Sequence, residues 1–132
     1  YIYGGYANPS ESLPSLFEND DYLLSCAIMR SMVKVYDPEG SNANNPLAWP
    51  YHADVSVLAG LPAHFISVNE LDPLRDEGLV YYRKLLAAGV AAGARTVHGT
   101  PHAGDMGFFY AAPEITADTV ASIAAFVRGR ST

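Results

Sequence analysis

The sequence is short of cysteine, of basic residues and of long apolar runs. Its 132 residues include one cysteine, Cys26, so no disulfide can form within the chain and no cysteine-based metal site of the usual spacing exists. Because disulfides persist in oxidising compartments, this usage favours a cytoplasmic location. No apolar run approaches the length that crosses a bilayer, and we therefore expect no membrane span.

Basic residues are outnumbered by acidic ones and are scattered along the chain. Eight Lys and Arg stand against 14 Asp and Glu, which gives a formal net charge of −6. A surface that binds nucleic acid or anionic lipid needs clustered positive charge, so neither partner is expected. His52 and His64 have no second ligand-type residue at metal spacing, and we expect no metal and no cofactor.

The N-terminal part is predicted to be a loop followed by a helix. Tyr1 to Tyr3 are interpreted as the last residues of a strand, and turn residues continue the chain to about Phe17. Apolar residues at helical spacing predict a helix from about Asp21 to Tyr36, with Asn19 or Asp20 as its cap. Because the sequence lacks an initiator Met and starts where a strand already ends, we expect a fragment.

The stretch from Ser41 to Pro62 is predicted to be irregular. Asparagines and prolines recur through it and prevent long regular elements. Trp49 and Tyr51 are its large aromatic residues. We expect them to pin this stretch to the core rather than to line a substrate pocket.

A strand followed by a helix forms the centre of the chain. The run from about Ala63 to Val68 is short, apolar and rich in β-branched and aromatic residues, which is typical of a buried strand. Pro73 suits the first position of a helix, which we predict to continue to about Ala88. Asp72 lies at the junction and is predicted to be the N-cap of that helix.

A second strand is predicted at about Ala94 to His98, so strand, helix and strand form a right-handed unit with parallel strands. The loop from Gly99 to Asp105 follows and contains His102. Because the carboxyl ends of adjacent parallel strands lie at the same edge of a sheet, this imidazole can meet the carboxylate of Asp72. We expect the two side chains to lie within hydrogen-bonding range.

The remaining residues predict one more helix and complete the fold class. The helix begins at Pro113, with Thr116, Val120, Ile123 and Val127 on one face and Arg128 and Arg130 at its end. Alternation of strands and helices places the chain in the α/β class, with parallel strands and flanking helices. No internal repeat or low-complexity segment is found.

Two interpretations of Asp72 are open. An Asp before a helical Pro is often only a cap, which stabilises by about 1 kcal/mol through one backbone N–H. An Asp and a His on adjacent strand-end loops are also two members of a nucleophile-activating triad, in which the carboxylate orients the imidazole. The neighbouring Arg75, Asp76 and Glu77 either support the site or form a solvated or ion-paired start of the helix.

Three stretches of the chain carry a specific pattern. They are Asp72-Pro73-Leu74-Arg75-Asp76-Glu77-Gly78, Leu86-Ala87-Ala88-Gly89-Val90 and Gly99-Thr100-Pro101-His102. Together they resemble the hormone-sensitive-lipase-like branch of the α/β-hydrolase esterases. Further segments are most similar to one esterase of that branch, namely Tyr3-Gly4-Gly5-Tyr6, Leu13-Pro14-Ser15-Leu16, Glu18-Asn19-Asp20 and Ala48-Trp49-Pro50-Tyr51. The resemblance implies that residues 1–132 are the C-terminal portion of a single α/β-hydrolase domain.

The resemblance also implies a carboxylic ester hydrolase that uses a serine, Asp72 as the acid and His102 as the histidine. In such families the serine motif G-x-S-x-G and the oxyanion loop lie N-terminal to the part that residues 1–132 resemble. Neither motif is present in this sequence. Ser25, Ser67 and Ser122 lie in helix or strand contexts and are poor substitutes. The implied partners are therefore a small carboxylic ester and a missing N-terminal segment with the serine, and the chain alone is expected to be inactive.

The matched part departs from the family at the histidine. His102 is followed by Ala103-Gly104-Asp105, whereas the family usually places Gly and often an aromatic residue there. Asp105 is expected to add a charge near the imidazole. His98, which also precedes a glycine, is a rival to His102, but its predicted place within the strand favours a structural role.

A function of a different class is also open. In a non-enzymatic α/β binding module, Asp72 is a cap only and His102 is a loop residue.

On the esterase interpretation, a strand at Tyr1 to Tyr3 lacks its neighbour, and an open buried edge promotes aggregation. We therefore expect the folded chain to be stable only when it packs against the missing segment or against another chain. That other chain can be a second copy in a homodimer.

Overall fold

The computed structural model describes residues 1–129. Within them the chain forms six α-helices, one short 3-10 helix and two strands. In chain order these are α1 (Ser15–Glu18), α2 (Cys26–Tyr36), the 3-10 helix (Pro50–His52), α3 (Val55–Leu58), β1 (His64–Leu71), α4 (Arg75–Ala87), β2 (Ala92–Pro101), α5 (Gly104–Gly107) and α6 (Pro113–Arg128). The predicted order of strand, helix and strand is confirmed in β1, α4 and β2.

The two strands form a parallel sheet, as the sequence predicts. Their register is regular over residues 64–69 of β1 and then shifts, so that Leu71 lies opposite Pro101. Such a shift places extra residues in one strand and bends it locally. Because of it, the strands end side by side, directly before Asp72 and His102.

Both strands are longer than the sequence predicts because polar residues remain in the ladder. β1 continues past Val68, and β2 continues past His98. Asn69 and Thr100 are both buried, and the Asn69 Nδ2 donates to Thr100 Oγ1 at 2.9 Å. A cross-strand hydrogen bond of this kind stabilises a polar pair inside a sheet.

Helix α4 connects the strands and packs closely on β1. A Cβ atom added at Gly78 would lie 2.7 Å from Cγ1 of Val68, so the helix approaches the strand more closely than a side chain allows. The buried members of the apolar cluster around this contact are Ala53, Leu58, Leu85 and Val90. Burial of apolar surface here is what stabilises the strand, helix and strand as a unit.

A second apolar cluster joins the N-terminal segment to α2. Its buried members are Tyr3, Tyr6, Leu13, Leu16, Leu24, Cys26 and Met29. Trp49 is buried beside α2, with its ring edge-on to Tyr36 at 5.1 Å between centroids. The prediction that Trp49 pins the irregular stretch to the core is therefore confirmed.

Tyr1 to Tyr3 do not form a strand, contrary to the prediction. The backbone N–H of Ile2 donates to Glu77 Oε1 at 2.8 Å, and the carbonyl oxygen of Ile2 accepts the N–H of Tyr51 at 3.0 Å. These groups are thus bonded to a side chain of α4 and to the 3-10 helix. The β-type composition of these residues was outweighed by distant partners that local sequence does not reveal.

The helix predicted from Asp21 begins instead at Cys26. Asp21 has a φ of 67°, in the left-handed region, and a right-handed helix cannot run through such a residue. Ser25 is the N-cap, and its hydroxyl accepts the N–H of Ile28 at 3.2 Å. Asp20 contributes from outside the helix, because its Oδ1 accepts the N–H of Cys26 at 2.7 Å.

Helix α6 begins at Pro113, as predicted, and packs Thr119 against the described part of the chain. Thr119 is 2% exposed, whereas Val120 and Ile123 of the predicted face are 51% and 43% exposed. The Thr119 hydroxyl donates to Asp105 at 2.9 Å, so a polar contact rather than the apolar period determines how the helix is rotated. Arg130, predicted at its end, lies outside the described residues.

We expect the substitution Gly78→Ala to lower the free energy of unfolding by about 1–3 kcal/mol, because the added methyl group overpacks the contact with Val68. Urea unfolding monitored by circular dichroism measures this. Gly107→Ala is the matched control, since a Cβ there meets no atom within 4 Å. A Gly78→Ala protein with the wild-type midpoint would contradict the close packing of α4 on β1.

Candidate active site

Asp72 lies in a tight turn between β1 and α4. Its Oδ1 accepts the backbone N–H of Leu74 at 2.9 Å, and its carbonyl oxygen accepts the N–H of Arg75 at 3.0 Å. Aspartate forms this Asx turn readily before a helix. The helix therefore starts at Arg75 and not at Pro73 as predicted, and Leu74 is its N-cap residue without a side-chain bond. Asp72 organises the entry to the helix from outside it.

Helix α1, in a stretch predicted to be loop, holds the backbone of this turn. Asn19 Nδ2 donates to the carbonyl oxygens of Glu70 and Asp72 at 3.0 and 3.2 Å. The Ser15 hydroxyl donates to the carbonyl oxygen of Pro73 at 2.7 Å. Both side chains are buried, so they satisfy carbonyls that the turn withdraws from water. Sequence reasoning missed them because no local pattern marks bonds between such distant positions.

The charged residues that open α4 are bonded to other parts of the chain. Asp76 accepts the N–H of Ser15 at 2.7 Å and the Nε–H of Arg75 at 2.8 Å. Glu77 is buried and accepts the Tyr6 hydroxyl at 2.8 Å. Burial raises the pKa of the Glu77 carboxyl. Arg75 and Asp76 therefore form an ion-paired start of the helix, as one of the two interpretations expects, whereas Glu77 binds the N-terminal segment.

His102 lies in a sharp turn at the end of β2. Ala103 has a φ of 53°, a left-handed conformation that is unusual for a residue with a side chain. A Cβ on Gly104 would lie 2.8 Å from the Pro101 ring, so the turn has no room for another side chain. The chain then enters α5 at once, and the imidazole projects beside the turn of Asp72.

The structure brings Asp72 and His102 together, as the sequence predicts. Nδ1 of His102 lies 2.9 Å from Oδ2 of Asp72. Because an ionised carboxylate only accepts hydrogen bonds, the contact favours the tautomer with the proton on Nδ1. Among residues 1–129, Nε2 of His102 has no hydrogen-bond partner. Its lone pair is available to take a proton.

The two interpretations of Asp72 describe the same carboxylate. Oδ1 bonds the backbone of the turn, and Oδ2 bonds the imidazole. The Asp72 side chain is 8% exposed and that of His102 is 38% exposed, so the carboxylate is enclosed and the imidazole is accessible. The hydrogen bond to Asp72 and its negative charge raise the pKa of His102 above the usual 6.5, and partial burial opposes the rise.

The rival histidine lies elsewhere. The His98 side chain is 79% exposed, and its Nδ1 is 3.1 Å from Oε1 of Glu70 at the sheet edge. His52 and His64 bond the backbone carbonyl oxygens of Tyr3 and Pro62. Of the four histidines, His102 is the one that meets a buried carboxylate.

A cavity of about 540 Å³ opens beside the pair. Asp72 and His102 line it together with apolar side chains that include Ile66, Leu74 and Met106. A concave, mainly apolar space with a few converging polar groups suits a small organic ligand. The accessible nitrogen of the imidazole therefore lies at a place where such a ligand can bind.

The three serines named above as poor substitutes have other bonding partners. Ser25 caps α2, and the hydroxyls of Ser67 and Ser122 accept hydrogen bonds from Arg95 at 3.0 and 2.9 Å. Among the described residues, no serine hydroxyl bonds to His102. This agrees with the prediction that these serines are poor substitutes for a nucleophile.

Asp105, which the sequence analysis expects to add a charge near the imidazole, bonds to two other elements of the chain. Its carboxylate accepts hydrogen bonds from Asn69 at 3.0 Å and from Thr119 at 2.9 Å, and it lies 5% exposed below the loop. The burial of Asp105 is what distinguishes it from a surface carboxylate, and the local sequence does not reveal that burial.

Residues 1–129 offer neither a site for a metal ion nor a helix that could span a membrane. They contain no group of three or more His, Cys, Asp or Glu side chains that could hold a metal ion. In the same range, no helix has the length and apolar character that crossing a bilayer requires.

The sequence model of a family described as the alpha/beta hydrolase fold matches residues 2–106. Among curated proteins, the chain is similar to esterase LipI of Mycobacterium tuberculosis, with 39% identity over 111 residues. The match covers 80% of this chain and 34% of that esterase. This chain therefore spans about a third of the length of that relative.

Solved structures are similar over most of the chain. Brefeldin A esterase, described as a bacterial homologue of human hormone-sensitive lipase, superimposes with a TM-score of 0.92 and 45% identity, over 96% of this chain and 36% of that one. It is the esterase that the four shorter segments resemble. Esterase Est22 gives a TM-score of 0.79 and 47% identity, over 89% of this chain and 34% of that one. The chain belongs to the α/β-hydrolase-fold family, and its resemblance to the hormone-sensitive-lipase-like branch of that family is confirmed.

Proposed function

We propose that the chain is the C-terminal portion of a carboxylic ester hydrolase, with Asp72 and His102 as the acid and histidine of a Ser-Asp-His triad. The serine and the oxyanion donors come from an N-terminal segment of the same α/β-hydrolase domain. The observation that carries the proposal is the 2.9 Å contact between His102 Nδ1 and Asp72 Oδ2, with the other ring nitrogen accessible. The substrate class is a small carboxylic ester.

The proposed reaction uses the imidazole twice. Nε2 of His102 takes the proton of the serine hydroxyl as the serine oxygen attacks the ester carbonyl carbon. When the tetrahedral intermediate collapses, the bond to the alcohol oxygen breaks and the imidazolium gives its proton to that oxygen. Water then attacks the acyl-enzyme with Nε2 as base, which releases the acid and restores the serine. Asp72 stabilises the imidazolium in both steps.

Two further findings support the proposal. The relatives named above carry the names of esterases, and this chain spans about a third of each. The remaining two thirds leave room in a longer domain for a serine motif that residues 1–132 do not contain. Asp72 and His102 each lie in a turn directly after a strand, which is where the acid and histidine of such a triad are expected.

The proposal extends to partners and location. The cavity of about 540 Å³ is the space for the ester, and the N-terminal segment closes the site around it. The single cysteine, Cys26, is buried and unpaired, which supports a cytoplasmic location. Exposed apolar side chains can be covered by the N-terminal segment or, in a homodimer, by a second copy of the chain.

A fluorophosphonate probe tests where the nucleophile lies. The probe reacts with an activated serine with loss of fluoride, so we expect labelling of the full-length protein and none of the 132-residue chain. In-gel fluorescence and peptide mass mapping measure both, with heat-denatured protein as the control. Labelling of the 132-residue chain at one of its own serines would overturn the assignment.

Substitution of the pair in the full-length protein tests their roles. We expect Asp72→Asn to lower kcat for a p-nitrophenyl ester on the order of 10⁴-fold, because the imidazole loses its orienting acceptor. His102→Ala removes the base and should lower kcat at least as much. His98→Ala is the matched control and should keep the wild-type rate. Unchanged hydrolysis by both site variants would favour the binding module instead.

The pH profile tests the raised pKa of His102. Protonated imidazole cannot accept a proton, so kcat/KM falls as the pH falls through the pKa of His102. Since the hydrogen bond and charge of Asp72 raise that pKa, we expect the midpoint of the acidic limb above pH 6.5. In Asp72→Asn the residual activity should have its midpoint at a lower pH. An identical midpoint in the two proteins would show that Asp72 does not act on His102.

A further inference from the structure

The proposed reaction leaves one buried carboxylate unused. It belongs to Asp105, in α5, directly after the turn that contains His102. Asp105 follows His102 and is 5% exposed. Its Oδ1 accepts the Asn69 amide at 3.0 Å, and its Oδ2 accepts the Thr119 hydroxyl at 2.9 Å. One donor belongs to β1 and the other to α6. A single side chain therefore joins the histidine loop to two neighbouring elements.

The hydrogen bonds around Asp105 are arranged so that its carboxylate accepts from both sides. The guanidinium of Arg95 donates to the Thr119 hydroxyl, which donates in turn to Asp105. On the other side, Asn69 uses its second amide hydrogen for Thr100 at 2.9 Å, and Thr100 donates to a carbonyl oxygen of β2 at 2.8 Å. Among the described residues, no buried side-chain nitrogen or oxygen lacks a partner. Every donor in this network points towards its own acceptor, and Asp105 only accepts.

Apolar contacts give the same loop little support. The large side chains that follow His102 are substantially exposed: Met106 48%, Phe108 44%, Phe109 47% and Tyr110 89%. Ala103, directly after the histidine, adopts a left-handed conformation that costs about 1–2 kcal/mol in a residue with a Cβ. Something other than apolar burial must therefore hold this turn, and the bonds of Asp105 are the strong contacts present.

We propose that Asp105 is a positioning residue, which with Asn69 and Thr119 holds the loop so that His102 stays in line with Asp72. The inference rests on the proposed function, because it concerns the orientation of the same histidine. Asp105 makes no hydrogen bond to His102. Its effect on the reaction passes through the backbone of the turn.

The network requires a carboxylate at this position. An amide has one acceptor oxygen and one NH₂ group, whereas Asn69 on one side and Thr119 with Arg95 on the other all present donors. In Asp105→Asn, either orientation of the amide places NH₂ against Asn69 or Thr119, both of which donate in the wild type, so one of these bonds is lost or its donor has to rotate. A residue of nearly the same size thus disrupts the contact, which separates hydrogen bonding from packing.

We expect Asp105→Asn in the full-length enzyme to lower kcat on the order of 100-fold, as a small displacement of a catalytic group does, with little change in KM. The downfield proton resonance of His102 Nδ1 should weaken, and the acidic midpoint of kcat/KM should move down towards pH 6.5. Asp118→Asn is the matched control. Asp118 bonds the same Arg95 at 2.8 Å but is 75% exposed, so kcat and the resonance should remain as in the wild type.

Two further variants keep the inference testable if Asp105→Asn folds poorly. The exchange Asn69→Asp with Asp105→Asn reverses donor and acceptor across the 3.0 Å bond and should recover most of kcat. Thr119→Val removes one donor and should lower kcat, whereas Thr119→Ser keeps the hydroxyl and should not. Circular dichroism at the assay temperature establishes that each variant is folded.

The outcomes separate this inference from the proposed function. Wild-type kcat and an unchanged Nδ1 resonance in folded Asp105→Asn or Thr119→Val would overturn the inference, while loss of activity in His102→Ala would still support the triad. Loss of kcat in Asp105→Asn with an unchanged resonance and pH midpoint would also overturn it, because the His102 contact would then be intact. Full activity of His102→Ala would overturn the proposed function itself.

Discussion

The site depends on one carboxylate whose two oxygens bond different parts of the chain. Oδ1 of Asp72 accepts the N–H of Leu74, and Oδ2 meets Nδ1 of His102 at 2.9 Å. The first bond fixes the rotation of the side chain, so the second oxygen has a defined direction. A helix-entry bond worth about 1 kcal/mol thus also orients the acid of the pair. The structural role and the proposed chemical role of Asp72 are therefore compatible.

The acid and the histidine are brought together by the sheet and held there by separate polar contacts. The register shift near the end of β1 lets both strands finish side by side. Behind the acid, Asn19 and Ser15 bind the carbonyl oxygens of its turn. Behind the histidine, Asp105 binds β1 and α6. Each turn therefore has its own support, and a disturbance of one need not move the other.

Features that depend on local residues were predictable from the sequence, and features that depend on distant partners were not. Apolar periodicity and the Asp-Pro junction predicted the order of β1, α4 and β2 and the meeting of Asp72 with His102. The left-handed Asp21 shortened a helix that its apolar spacing would have continued. Ser15 and Asp105 were missed as supports because their partners lie on other elements, where no periodic pattern records them.

The support of the histidine turn shows why polar contacts can suit a catalytic loop. Apolar contacts are non-directional, and a turn followed by exposed side chains such as Phe109 and Tyr110 buries little surface to resist sliding. A buried carboxylate between oriented donors is different, because moving it by about an ångström leaves charged or polar groups unpaired at a cost of about 1–3 kcal/mol each. The penalty rises steeply with displacement. Such a network restricts His102 to a narrow range of positions, which is what proton transfer over one hydrogen-bond length requires.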